Sequence, residues 1–83
     1  MAYKSKVVQR HYTLDKGQKC DKIVYLANFS PNGTEYWTNN LTEAMFDPDP
    51  GKLGYFPGVW NGQERGKSFR YEQSIKEVTF AVS

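Results

Sequence analysis

Cysteine, histidine and long apolar runs are nearly absent from this 83-residue chain, and each shortage closes off a class of proteins. The single cysteine, Cys20, has no internal partner, which excludes a disulfide-stapled scaffold. Lys19 and Lys22 flank it and would favour a thiolate, although a turn, DKGQKCDK, is the plainer setting for an incidental thiol. The single histidine, His11, has neither a second histidine nor a cysteine at ligand spacing, so no zinc site is expected. No apolar run approaches the ~18 residues of a membrane span. The opening MAYKSKVVQRHY lacks the apolar core of a signal peptide. A reducing, cytoplasmic setting is therefore expected. With one thiol, one imidazole and scattered carboxylates, the chain offers no acid–base or nucleophile constellation. A non-enzymatic protein without cofactor or metal follows as the expectation.

Charge of one sign is also lacking overall, since the net charge is only +2. Its distribution is uneven: residues 1–22 hold six Lys/Arg against two Asp, 23–64 hold one Lys against five acids, and 65–83 hold four against two. If the two ends pair in one sheet, they share a mildly basic face, far short of a dedicated nucleic-acid binder.

What is present is aromatic and strand-forming. Aromatic residues make up 16% of the chain, enough for a small core of Tyr, Phe and Trp in one domain spanning residues 1–83. The strongest local signal is a hairpin in which Lys22–Phe29 and Thr34–Thr38 flank Ser30-Pro31-Asn32-Gly33. Pro31 presets φ, and Gly33 supplies the positive φ that returns the chain to a strand. Ile23, Tyr25, Ala27 and Phe29 share one face and Val24 and Leu26 the other, which implies cover on both sides or a strongly curved sheet. Upstream, residues 4–14 place Val8, Tyr12 and Leu14 on one face with Arg10 among them. So many long polar side chains suggest an edge strand. Downstream, Asn40 and Glu43 have capping-box spacing and predict a helix of one to two turns near residues 40–46, ended by Asp47-Pro48. Val59-Trp60 reads as a short strand returning through Ser68–Glu72, and Val78, Phe80 and Val82 alternate as a core strand. The fold class expected is α+β: a small, strongly twisted antiparallel sheet of four to six strands, a partial barrel being one of its forms, with that one short helix.

Three motif-like segments fall short of their patterns. Gly62-Gln63-Glu64-Arg65-Gly66-Lys67-Ser68 ends like a phosphate-binding loop, but it has one residue too few between glycines and no helix after it; a hairpin loop, GQERG, fits better. Arg65-Gly66-Lys67-Ser68-Phe69-Arg70-Tyr71 matches the base-stacking strand of RNA-recognition motifs only at Arg65, Gly66 and Phe69, so no family is assigned. Asp47-x-Asp49-x-Gly51 opens like a calcium loop but lacks the later oxygen ligands, and reads as a solvated turn.

The functional expectation rests on Leu53–Trp60. Tyr55, Phe56 and Trp60 on a Gly/Pro-shaped loop are protein-interface residue types, and predict a binding or regulatory module that docks on a larger protein. Its size suits the stand-alone regulators or inhibitors that phages and plasmids direct at host proteins. The opposing expectation is that these rings fold back as a lid over the sheet. An alternative partner is single-stranded nucleic acid, bound by Lys67, Phe69, Arg70 and Tyr71; a further alternative is a small-ligand pocket lined by aromatics. A monomer or homodimer without a membrane partner is expected, the proposed edge strand at 4–14 being the route to a dimer.

Overall fold

The computed structural model describes residues 2–81, with the side chains of residues 4–79. Five strands, β1 (Ala2–Asp15), β2 (Gln18–Phe29), β3 (Glu35–Thr38), β4 (Gly58–Glu64) and β5 (Lys67–Ala81), form one antiparallel sheet in the order β3-β2-β1-β5-β4. The sheet is open. At ~3.3 Å per residue a 15-residue strand spans roughly 50 Å, and β1 and β5 together account for the 48 Å long axis of the molecule. The alternating Val78–Val82 segment belongs to β5 as far as Ala81; the side chain of Phe80 and all of Val82 lie outside the described residues. Residues 68–72 and 74–81, expected as separate strands, are one, because Gln73 between them is buried and paired with Arg10.

Turn chemistry fixes three of the connections. Gly33 has φ of 87° in the β2–β3 turn, where its amide donates to the Ser30 carbonyl. The other two hairpins turn on Lys16-Gly17 and Arg65-Gly66, with φ of 52° and 78°, and 53° and 78°. Two central residues at positive φ are the type I′ pattern, whose twist matches that of the flanking strands. The expected GQERG loop is thus shorter, and Gly62–Glu64 stays within β4. Both turns lie at one end of the sheet, joined by a bond from the Gly17 amide to the Ser68 carbonyl at 2.8 Å.

One expectation is overturned and a second is borne out only loosely. Residues 9–14 are central, with β2 on one side and β5 on the other, and residues 4–8 pair with β5 and carry a bridge from Lys6 to Asp47 on their other side. Gln9 and His11 are only half-buried there, His11 meeting Asp21, and Arg10 is sheathed by rings. The predicted helix near 40–46 shrinks to a 3-10 turn at Leu41–Glu43, so the α component of the fold is nearly nil. Asn40 does cap it, accepting from the Thr42 amide at 3.1 Å. Glu43, however, accepts from Thr38 Oγ1, and Ala44 turns extended so that the Met45 amide reaches the Leu26 carbonyl at 2.8 Å. A tertiary backbone bond outweighs one more turn of a helix too short to persist alone. Asp47 then pairs with Lys6 through two backbone bonds. Upstream of Gln9, where β1 parts from β2, residues 45–47 occupy the opening.

The covered half of the sheet holds the core: Val8, Leu26 and Tyr55, with Phe29, Trp37 and Met45 packed against them. The lid that supplies Tyr55 runs from residue 39 to 57 and includes a second 3-10 turn, Pro50–Leu53. On the opposite face Ile23 is exposed, whereas Ser5 and Val7 of β1 are buried, so cover on that face is confined to one end. No described helix is long and apolar enough to cross a membrane.

Candidate docking surface

Cross-strand register decides which side chains meet on the lid-side face. Pairings of Arg10 with Val24 and Gln73, Tyr12 with Tyr71, Tyr71 with Trp60, and Leu26 with Trp37 place Arg10, Tyr12, Trp37, Trp60, Phe69 and Tyr71 together. The lid covers only part of this face, and these residues form its remainder.

Arg10 is the centre of the group. Its Cζ lies 4.0 Å from the centroid of Trp37 and 4.5 Å from that of Tyr71, so the guanidinium is sandwiched between two rings. Each such contact contributes about 0.5–2 kcal/mol, more as it is desolvated. Arg10 Nε donates to Gln73 Oε1 at 2.9 Å, and Gln73 Nε2 donates to the Phe56 carbonyl at 3.0 Å. The buried amide thereby ties the cation to the lid. Beyond Arg10, Tyr71 stacks on Trp60 at 5.8 Å and 19°, with Phe69 at 6.0 Å and 18° and Tyr12 tilted at 5.1 Å. β1 and β4 flank β5, so Arg10 and Trp60 engage Tyr71 from opposite sides. The ring faces are largely spent on one another; what remains outward are ring edges and the outer face of Trp60.

The aromatic loop is divided. Tyr55 is buried, its ring against Phe29 and Trp37 and its hydroxyl donating to Glu35 Oε2. Burial, then the hydrogen bond and charge of Glu35, push the Tyr55 pKa well above its usual value, against a smaller opposing pull from Arg10. Phe56 is 61% exposed and Trp60 41%, Leu53 of the lid is exposed as well, and Val59 is exposed on the opposite face of β4. The lid and the exposed site are therefore both present, in different residues of one segment.

The second set of predicted residues is split by the pleat. Phe69 and Tyr71 lie on the aromatic face and Lys67 shares their parity, whereas Arg70 pairs with Asn61 and Leu14 on the other. Lys67 instead joins Lys16 and Arg65 at the turn end, around a cleft of about 180 Å³ that Asp15, Glu64 and Phe69 also line. A wider groove of about 550 Å³, between the first turn and β3, is lined by Tyr12, Lys22 and Trp37 among others. Lys22 there sits 3.7 Å from Asp15 and 5.8 Å from the Tyr12 ring.

His11 meets Asp21 rather than Cys20, whose sulfur donates to the Tyr12 carbonyl at 3.4 Å. Asp49 bonds back to Asp47 and pairs with Lys52, as a solvated turn would. Among the described residues no group of three or more His, Cys, Asp or Glu side chains could hold a metal. No family model, no curated protein and no solved structure matches this chain.

Sequence reasoning passed over Arg10, Tyr12 and Trp37 as site residues. The signal was an arginine set between Val8 and Tyr12 on one parity of β1, which asks for a partner before solvent. Which partner depends on strand order, and that is not a local property.

Proposed function

We propose that the protein is a non-enzymatic docking module that recognises another protein through the aromatic face around Arg10, Tyr71 and Trp60, with Phe56 at its rim. The observation that carries this reading is the guanidinium held between Trp37 and Tyr71. It makes a rigid surface of Trp, Tyr and Arg, the types that dominate binding energy at protein interfaces, with little side-chain entropy left to lose on docking. Because the ring faces are engaged with one another and with Arg10, few are left for intercalating bases, which favours a protein partner over a single strand.

The test is capture from a bacterial lysate on the immobilised protein, with and without nuclease. One stoichiometric protein surviving nuclease is expected, lost for Trp60→Ala and Phe56→Ala while their circular dichroism matches the parent. Unaltered capture by both variants would move the site elsewhere.

A second reading has its own observation. The two type I′ turns bring Lys16, Arg65 and Lys67 together beside Phe69, a cationic corner suited to a nucleic-acid backbone. Asp15 and Glu64 in the same cleft oppose it. Nucleic acid alone on the resin, released steeply as salt rises, would favour this corner.

A further inference from the structure

The edge strand β4 has little to keep another strand away. It is seven residues long, GVWNGQE, runs in unbroken register against β5, contains neither lysine nor proline, and carries charge only at Glu64. Those are the devices by which sheet edges are normally blunted. The opposite edge, β3, has four residues and a register break between Leu26 and Asn28. The molecule also has surface to spare. A chain of 9.6 kDa exposes about 5,100 Å² when folded into an ordinary monomer, whereas this one exposes 6077 Å². The difference is close to the ~800 Å² that each partner contributes to a standard interface.

The hairpin fixes the phase of the edge. In a two-residue turn the flanking residues exchange both backbone hydrogen bonds, here Glu64 with Lys67, and every second pair repeats the exchange. Gly62, Trp60 and Gly58 are thus turned toward β5. Val59, Asn61 and Gln63 present their N–H and C=O groups to the free side, and these three positions are symmetric about Asn61.

We infer that β4 pairs with β4 of a second copy of this chain, antiparallel, about a two-fold axis at Asn61. In that register Asn61 faces Asn61, Val59 faces Gln63, and all the outward groups meet, giving about six backbone hydrogen bonds. Trp60 falls opposite Gly62 of the second copy. There the position is bare of side chain and roofed by that copy's own Phe69, since a Cβ on Gly62 would stand 3.3 Å from Phe69 Cζ. Large meets small, and the aromatic surface runs unbroken from one copy into the other. Glu64 falls opposite Gly58, so no like charges oppose one another. The result is a ten-stranded sheet with both Arg10 sites on one side.

The register can be read by cross-linking in a Cys20→Ser background. Opposed residues of a hydrogen-bonded antiparallel pair have Cα atoms about 5.5 Å apart, within disulfide reach. Asn61→Cys is expected to form a disulfide-linked dimer under mild oxidation, while Gln63→Cys, about 13 Å from its own copy in this register, stays monomeric. Sedimentation of the unaltered protein is expected to give twice 9.6 kDa at high concentration, and Val59→Lys to restore the monomer with its strand content intact. A monomer up to about millimolar concentration, equal cross-linking of both cysteine variants, or a dimer indifferent to Val59→Lys would each overturn the pairing. Failure of lysate capture bears on the docking face alone and leaves this result standing.

Discussion

Tyr55 shows how one residue can carry the chemistry of an interface and still belong to the core. Its composition and setting suggest a hot spot, and its ring is in fact shared among Phe29, Trp37 and the core. Truncating it to alanine is expected to cost about 3–5 kcal/mol, as for other buried aromatics, with Trp60→Ala costing less, on the order of the 0.5–1.5 kcal/mol of its stack on Tyr71. Tyr55→Phe removes only the bond to Glu35, worth about 1 kcal/mol. The pH dependence follows from the raised pKa. The folded state holds the phenolic proton more tightly than the unfolded chain, whose tyrosines ionise near pH ~10. This contribution is complete below that pH and is lost as pH rises above it. Urea denaturation near neutrality and at about pH 11 should therefore show a smaller alkaline loss of stability for Tyr55→Phe than for the parent. An equal loss in both would sever Tyr55 from the effect.

Elements differ in how local their information is. The β2–β3 hairpin was legible because Pro31, Asn32 and Gly33 act within a few residues. The two X-Gly turns illustrate the same point and admit a direct test. Arg65 sits at φ of 53°, a conformation most side chains resist. Asparagine accepts it more readily, and Asn-Gly is the favoured type I′ pair. Arg65→Asn is therefore expected to stabilise the protein by about 0.5 kcal/mol, read as a rise in urea midpoint at constant m; a fall would contradict the turn type. The helix expected at 40–46 is only loosely realised, as a 3-10 turn, because its outcome depends on the carbonyls of Leu26 and Lys6, which lie far away in sequence. Residues 4–14 were misread as an edge for a related reason. A long polar side chain means an exposed strand only if no ring waits across the sheet, and Trp37 and Tyr71 wait for Arg10. The aromatic half of the site was visible in composition, while the cation that organises it was hidden by topology.

At the scale of the whole molecule, stability should be graded from the middle of the sheet outward. β1 is paired on both sides from Gln9 to Leu14, and β5 on both sides over Arg70–Gln73. β3 is short and exposed on its outer side. Amide exchange is expected to be slowest for β1 and the facing part of β5 and fastest in β3 and the 3-10 turns; uniform protection would contradict this order. The central pairing has one more consequence, which concerns time. Ala2 lies beside Ala81 and Arg10 beside Gln73, so the strand that fills the middle of the sheet is joined by its neighbour only after nearly all the rest has been synthesised. Until β5 emerges, β1–β3 form a meander with one long flank unpaired, and β4 has nothing to join. The last of the five strands is the keystone, and the loops that its arrival must close are long, which places folding at the slow end for a domain of this size. A nascent chain arrested before β5 would carry that open flank into the cell, where it would be the species most prone to aggregate.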